Sequence, residues 1–109
     1  MRRLLFTAGV KVMIANGDLP EESVKTLEEL LGPGRVPTEL KPDLILQTLD
    51  DRQEAVRTRV PSLRRAQIIR DLRTIAKANG EVSQAECSAI HEVARAIGVS
   101  ESYVSCWDG

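Results

Sequence analysis

The chain has 109 residues, of which 42% are hydrophobic and only 3% aromatic. This length suits one domain, whose core must be aliphatic. With 15 basic and 16 acidic residues the formal net charge is -1, so the overall field does not favour non-specific nucleic-acid binding. No stretch approaches the roughly 20 apolar residues that cross a bilayer, so membrane insertion is not expected. Two cysteines without a secretory signal favour a reducing, cytoplasmic setting.

Apolar residues at helical spacing predict an all-α fold, a compact bundle of five to six helices. The first predicted helix is apolar on most of its sides, which is typical of a helix at the centre of a bundle. The fourth has an apolar stripe that includes Leu63, Ala66, Ile69 and Leu72. The predicted helices span residues 2–15, 20–31, 42–60, 63–78, a segment that begins after Ser83 and ends before Gly98, and residues 101–107.

An internal repeat relates the two halves of the chain. Residues 15–19 read ANGDL and residues 78–82 read ANGEV, an offset of 79 − 16 = 63. The same shift aligns Leu27 with Ile90. Each half therefore reads as a helical hairpin with an apolar face that it cannot bury alone, and packing one hairpin on the other buries both faces. We predict two pseudo-repeated helical hairpins.

The second hairpin resembles the signature hairpin of tellurite-resistance TerB-like domains, whose turn reads approximately D-G-x-(apolar)-(S/T)-x-x-E. The resemblance rests on residues 77–86, which read KANGEVSQAE, and on the apolar positions that follow them, Ile90, Val93, Ala94 and Ile97, with Gly98 after these. It implies a single TerB-like helical domain over residues 1–109, associated with tellurite or other stress resistance. It also implies an interaction or regulatory module whose partner is a separate protein or an appended enzyme domain. The sequence leaves open whether the chain is complete or part of a longer protein.

The chain departs from the family pattern at two kinds of position. Asparagine stands before both turn glycines, at Asn16 and Asn79, where the family has aspartate. In the first hairpin the position aligned with Glu86 is Ser23. We therefore expect any function of the turns to lie in the C-terminal half.

The acidic turns are a candidate site for a divalent cation, since the resemblance links such residues to metal binding. The candidate ligands are Asp18, Asn79, Glu81 and Glu86, whose oxygens suit a hard cation. A structural interpretation stands beside this one. Ser83 and Glu86 form the S-x-x-E pattern of a capping box, which ties both side chains to backbone N–H groups.

Residues 93–109 also resemble the helix-turn-helix of repressor-type DNA-binding domains. That alternative places Ser100, Ser102 and Tyr103 in the major groove. Residues 100–107 contain no basic side chain, whereas base readout favours Arg, Lys, Asn or Gln. Nucleic acid is thus not the expected partner, and a serine-capped helix packed on the core is the simpler interpretation.

Two further groups have both a functional and a structural interpretation. Cys87 and His91 have the i, i+4 spacing of a zinc-binding pair, but Cys87 lies on the apolar stripe, where a free cysteine acts as a small hydrophobe. The fourth helix has a basic face that suits an acidic partner or phosphate, or is simply solvated; it comprises Arg64, Arg65, Arg70 and Arg73. With one histidine and no recognisable nucleophile–base grouping, the chain is not expected to be an enzyme.

Overall fold

The computed structural model describes residues 2–15, 17, 21–34, 36, 41–78 and 80–100. Within them the chain forms six helices and no strand, which confirms the all-α prediction. The helices are α1 (Arg2–Ile14), α2 (Glu21–Leu31), α3 (Pro42–Leu46), α4 (Leu49–Arg59), α5 (Ser62–Lys77) and α6 (Gln84–Ala96). No described helix has both the length and the apolar character that a membrane span requires. The predicted helix over residues 101–107 lies outside the described residues.

Helix α1 is the centre of the bundle and contacts every other described helix. Its buried positions point in all directions, as the apolar sequence predicted. At Gly9, α1 packs tightly against α2 and α5. A Cβ atom there would lie 3.2 Å from a methyl of Leu27 and 3.4 Å from a methyl of Ile75. The two hairpins therefore pack on each other through α1, which contacts α5 and α6, and through α2, which contacts α5.

The repeat predicted from sequence is present in the helix boundaries. Helix α1 ends at Ile14 and α5 ends at Lys77, and 14 + 63 = 77. Helix α2 begins at Glu21 and α6 begins at Gln84, and 21 + 63 = 84. The hairpins α1–α2 and α5–α6 thus have the same lengths of turn in the same register.

The two turns share their described backbone hydrogen bonds. The Gly17 N–H donates to the Ile14 carbonyl at 2.8 Å, and the Gly80 N–H donates to the Lys77 carbonyl at 3.0 Å. The φ angles of these glycines are +89° and +117°, a region that L side chains rarely adopt. Glycine at both positions therefore follows from the turn geometry.

The predicted helix over residues 42–60 is wrong, because two helices, α3 and α4, occupy that segment. Thr48 lies at the break. Its backbone N–H donates to the Ile45 carbonyl at 3.2 Å and its hydroxyl donates to the same oxygen at 2.9 Å. Threonine side chains compete for backbone groups in this way. The break redirects the chain so that α3 and α4 both lie against α1.

Candidate functional site

The turn of the second hairpin contains the predicted capping box. The Glu86 N–H donates to Ser83 Oγ at 3.1 Å, and the Ser83 N–H donates to Glu86 Oε1 at 3.0 Å. The Glu86 side chain is buried, with 4% of the residue exposed. One oxygen of this carboxylate is therefore bound to backbone at the first turn of α6, as the structural interpretation of the motif required.

Only two of the four predicted cation ligands lie within the described residues. Glu81 is exposed, and Glu86 is the buried capping residue. Asp18 and Asn79 lie outside the described residues. Within the described part of the chain no group of three or more His, Cys, Asp or Glu residues is arranged to hold a metal. The cation site stays a prediction.

The first hairpin uses the aligned position differently. Ser23, which replaces Glu86, is fully buried, and its hydroxyl donates to the Ile75 carbonyl at 2.8 Å. The residue aligned with Ser83 is Pro20, and proline has no backbone N–H for a capping carboxylate to accept. The missing glutamate is thus replaced by a hydrogen bond between α2 and α5, which sequence reasoning had not found.

Of the three residues that the helix-turn-helix alternative places in the major groove, only Ser100 lies within the described part of the chain. Ser100 is exposed, while Ser102 and Tyr103 lie outside the described residues. Just before Ser100, the Val99 N–H donates to the Ala94 carbonyl at 2.8 Å. This hydrogen bond caps the end of α6. This bond is a general helix-ending feature, so it does not favour DNA binding.

The predicted basic face of α5 divides into structural and exposed members. Arg65 Nη1 donates to the Ile97 carbonyl at 2.8 Å, and a Cβ atom at Gly98 would lie 2.9 Å from that nitrogen. Arg65 therefore connects α5 to the end of α6 and needs glycine beside it. Arg64 and Arg70 are exposed and form no ion pair with any described residue.

A groove lies between the start of α5 and the end of α6, and we call it the α5–α6 groove. Its volume is about 300 Å³. The lining residues are Ser62, Leu63, Ala66, Arg70, Gly98, Val99 and Ser100. Leu63 is 86% exposed, so its predicted place on the buried stripe is wrong. Periodicity locates a side chain on a helix face, but no described element covers that face at the first turn of α5.

The structure does not provide the Cys87 thiolate that a zinc site at Cys87 and His91 requires. Cys87 is fully buried and disulfide-bonded, and the only other cysteine of the chain, Cys106, lies outside the described residues. A sulfur in a disulfide is not available as a thiolate ligand. The bond also differs from the free thiol predicted from the sequence.

Comparison with known proteins agrees with the hairpin signature. The family model described as Tellurite resistance protein TerB matches residues 3–105. No curated protein and no solved structure matches the chain. The family match covers both hairpins and nearly all of the sequence, so this chain belongs to the TerB family.

Proposed function

We propose that this chain is a non-catalytic TerB-family module that acts in the cytoplasm by binding another protein, either a separate partner or an appended enzyme domain. The observation that carries the proposal is the opposite charge of two exterior helix faces. Helix α2 exposes four acidic side chains, Glu21, Glu22, Glu28 and Glu29. Helix α5 exposes three basic ones, Arg64, Arg70 and Lys77. Charged faces of this kind select partners and orient them during encounter.

The hairpins support the same proposal because three of their described polar side chains serve the fold. Ser83 and Glu86 bind each other's backbone N–H groups, and Ser23 binds the Ile75 carbonyl. Polar groups occupied in this way are poor candidates for chemistry. We assign recognition to the exterior faces of α2 and α5, whose charged side chains are exposed.

Affinity purification with face-specific variants tests the proposal. The tagged full chain is recovered from its source cells beside two double variants, Glu28→Lys/Glu29→Lys on α2 and Arg64→Glu/Arg70→Glu on α5. We expect at least one protein that wild type retains and that one variant loses while the other keeps it. Recovery of identical proteins with all three forms and with a tag-only control would overturn the proposal.

The family description also suggests the setting in which the module works, namely tellurite resistance. Deleting the gene should lower the tellurite concentration that stops growth, and wild type should restore it. The variant that loses its partner should not restore growth, while the other variant should. Unchanged growth of the deletion strain would separate this chain from the process in the family description.

A further inference from the structure

We propose that the α5–α6 groove binds an acidic segment of a partner protein through one apolar anchor side chain. This inference rests on the proposed function and names the surface and the chemistry of the partner. Three features carry it: an exposed leucine, a lining arginine that forms no ion pair with any described residue, and the start of α5.

The apolar feature is Leu63. It is 86% exposed although it lines a concave surface with Ala66 and Val99. Most of its side chain is therefore available to lose water on contact with an apolar group, and burying an exposed leucine contributes favourably to binding. The size of the groove, about 300 Å³, suits one side chain with its flanking backbone.

The electrostatic feature is the positive charge around this leucine. Arg70 lines the groove, and Arg64, an exposed residue of the same first turn as Leu63, does not line it. Neither forms an ion pair within the described residues. A carboxylate bound here would therefore gain a partner without displacing a described one, and arginine is well suited to bind carboxylates through two parallel hydrogen bonds.

The start of α5 adds to this charge. Pro61 precedes the helix and supplies no side-chain cap. Its carbonyl accepts from the Arg64 and Arg65 N–H groups, while the first N–H groups of a helix have no partner inside it. The positive end of the helix dipole thus lies at Ser62 and Leu63, which line the groove, and favours an anion there.

These features favour an acidic peptide over other occupants. Nucleic-acid binding depends on phosphate contacts across a broad basic surface, whereas this groove is lined by an exposed leucine and a single arginine, and the chain has a net charge of -1. A second copy could offer its acidic α2, with Leu30 39% exposed, and this is tested as a separate outcome. An acidic segment with one apolar side chain matches both the positive charge of Arg70 and the exposed side chain of Leu63.

Fluorescence anisotropy with a defined probe tests the proposal on the full chain. The probe is a labelled peptide with a central leucine flanked on both sides by glutamates, and a second peptide carries glycine in place of the leucine. We expect wild type to bind the leucine probe more tightly, and added salt to weaken binding. Leu63→Ala and Arg70→Glu should each weaken binding about tenfold, since each removes one of the two recognition terms.

Matched controls change the same side chains elsewhere on the surface. Leu44→Ala removes another exposed leucine, on α3, and Lys41→Glu reverses another exposed basic residue. Both should leave probe binding within about twofold of wild type, because neither residue lines the groove. Circular dichroism and thermal unfolding of every variant check that the fold is retained.

Four results would overturn the proposal. They are the absence of probe binding to wild type, equal binding by wild type, Leu63→Ala and Arg70→Glu, tighter binding of a duplex DNA oligonucleotide to the same residues, and self-association in sedimentation that Leu63→Ala abolishes. Recovery of a cellular partner that requires the α2 face, together with no probe binding at the groove, would leave the module function standing while the groove proposal fails. Probe binding at the groove without recovery of any cellular partner would support the groove proposal and contradict the module function.

Discussion

The two hairpin turns have the same length and share their described backbone hydrogen bonds, but they use their polar side chains in opposite ways. In the second hairpin, Ser83 and Glu86 satisfy each other's backbone N–H groups within one turn of α6. In the first, Ser23 reaches across the bundle to the Ile75 carbonyl. A repeat can therefore keep its helix register while one copy stabilises a helix end and the other joins two helices. The comparison also shows that a missing family residue need not be a lost interaction.

The largest expected effect comes from copying the second hairpin into the first. Ser23→Glu places a carboxylate at a fully buried position that lacks the N–H of a capping partner. Burying an uncompensated charge is strongly unfavourable, so we expect the free energy of unfolding to fall by about 3–5 kcal/mol. Urea unfolding measures this change. The exposed neighbour Glu22→Ala is the control and should change stability by less than about 0.5 kcal/mol, and a similar value for Ser23→Glu would contradict the comparison.

Core positions should behave alike in the two hairpins, in contrast to the polar positions. Leu27 and Ile90 are aligned by the repeat, and each is fully buried. Leu27→Ala and Ile90→Ala should each lower the free energy of unfolding by about 2–5 kcal/mol through lost burial and the cavity left behind. Thermal or urea unfolding of both variants gives the pair of values. A loss well below about 2 kcal/mol for only one of the two variants would show that the two hairpins are not packed equivalently.

The capping box should have a smaller and local effect. Ser83→Ala and Glu86→Ala should each lower the free energy of unfolding by about 1 kcal/mol, the usual cost of a lost cap. Because the two residues bind each other's backbone, the double variant should cost less than the sum of the single variants. Strict additivity in this double-mutant cycle would mean that the two hydrogen bonds act independently.

The smallest expected effect concerns the predicted cation site. If the second turn binds Ca²⁺ through Glu81, a Ca²⁺ concentration equal to the Kd should raise stability by about 0.4 kcal/mol. Differential scanning fluorimetry with Ca²⁺, Mg²⁺ and Zn²⁺ measures the accompanying rise in Tm, and Glu81→Ala should abolish it. If no cation changes the Tm, the polar residues of both turns have only a structural role.

Local sequence signals predicted much of this fold because they act within a few residues. Glycine after each first helix set the ends of α1 and α5. The S-x-x-E pattern predicted the cap of α6 down to its two hydrogen bonds. The break at Thr48 was missed because the apolar spacing on both sides continues as if one helix ran through. There the competing hydrogen bonds of one side chain outweighed the periodicity.

The sequence by itself determined the all-helical class, the duplicated hairpin and the family, since periodicity, turn glycines and the capping pattern are written in neighbouring residues. Only the tertiary structure decided which side chains are buried in the fold and which remain exposed for recognition. It buried Ser23 against Ile75 and joined Arg65 to the Ile97 carbonyl, while it left Leu63, Arg64 and Arg70 exposed. The physical reason is that a helix face is set by local spacing, but its covering depends on contacts between residues far apart in the chain.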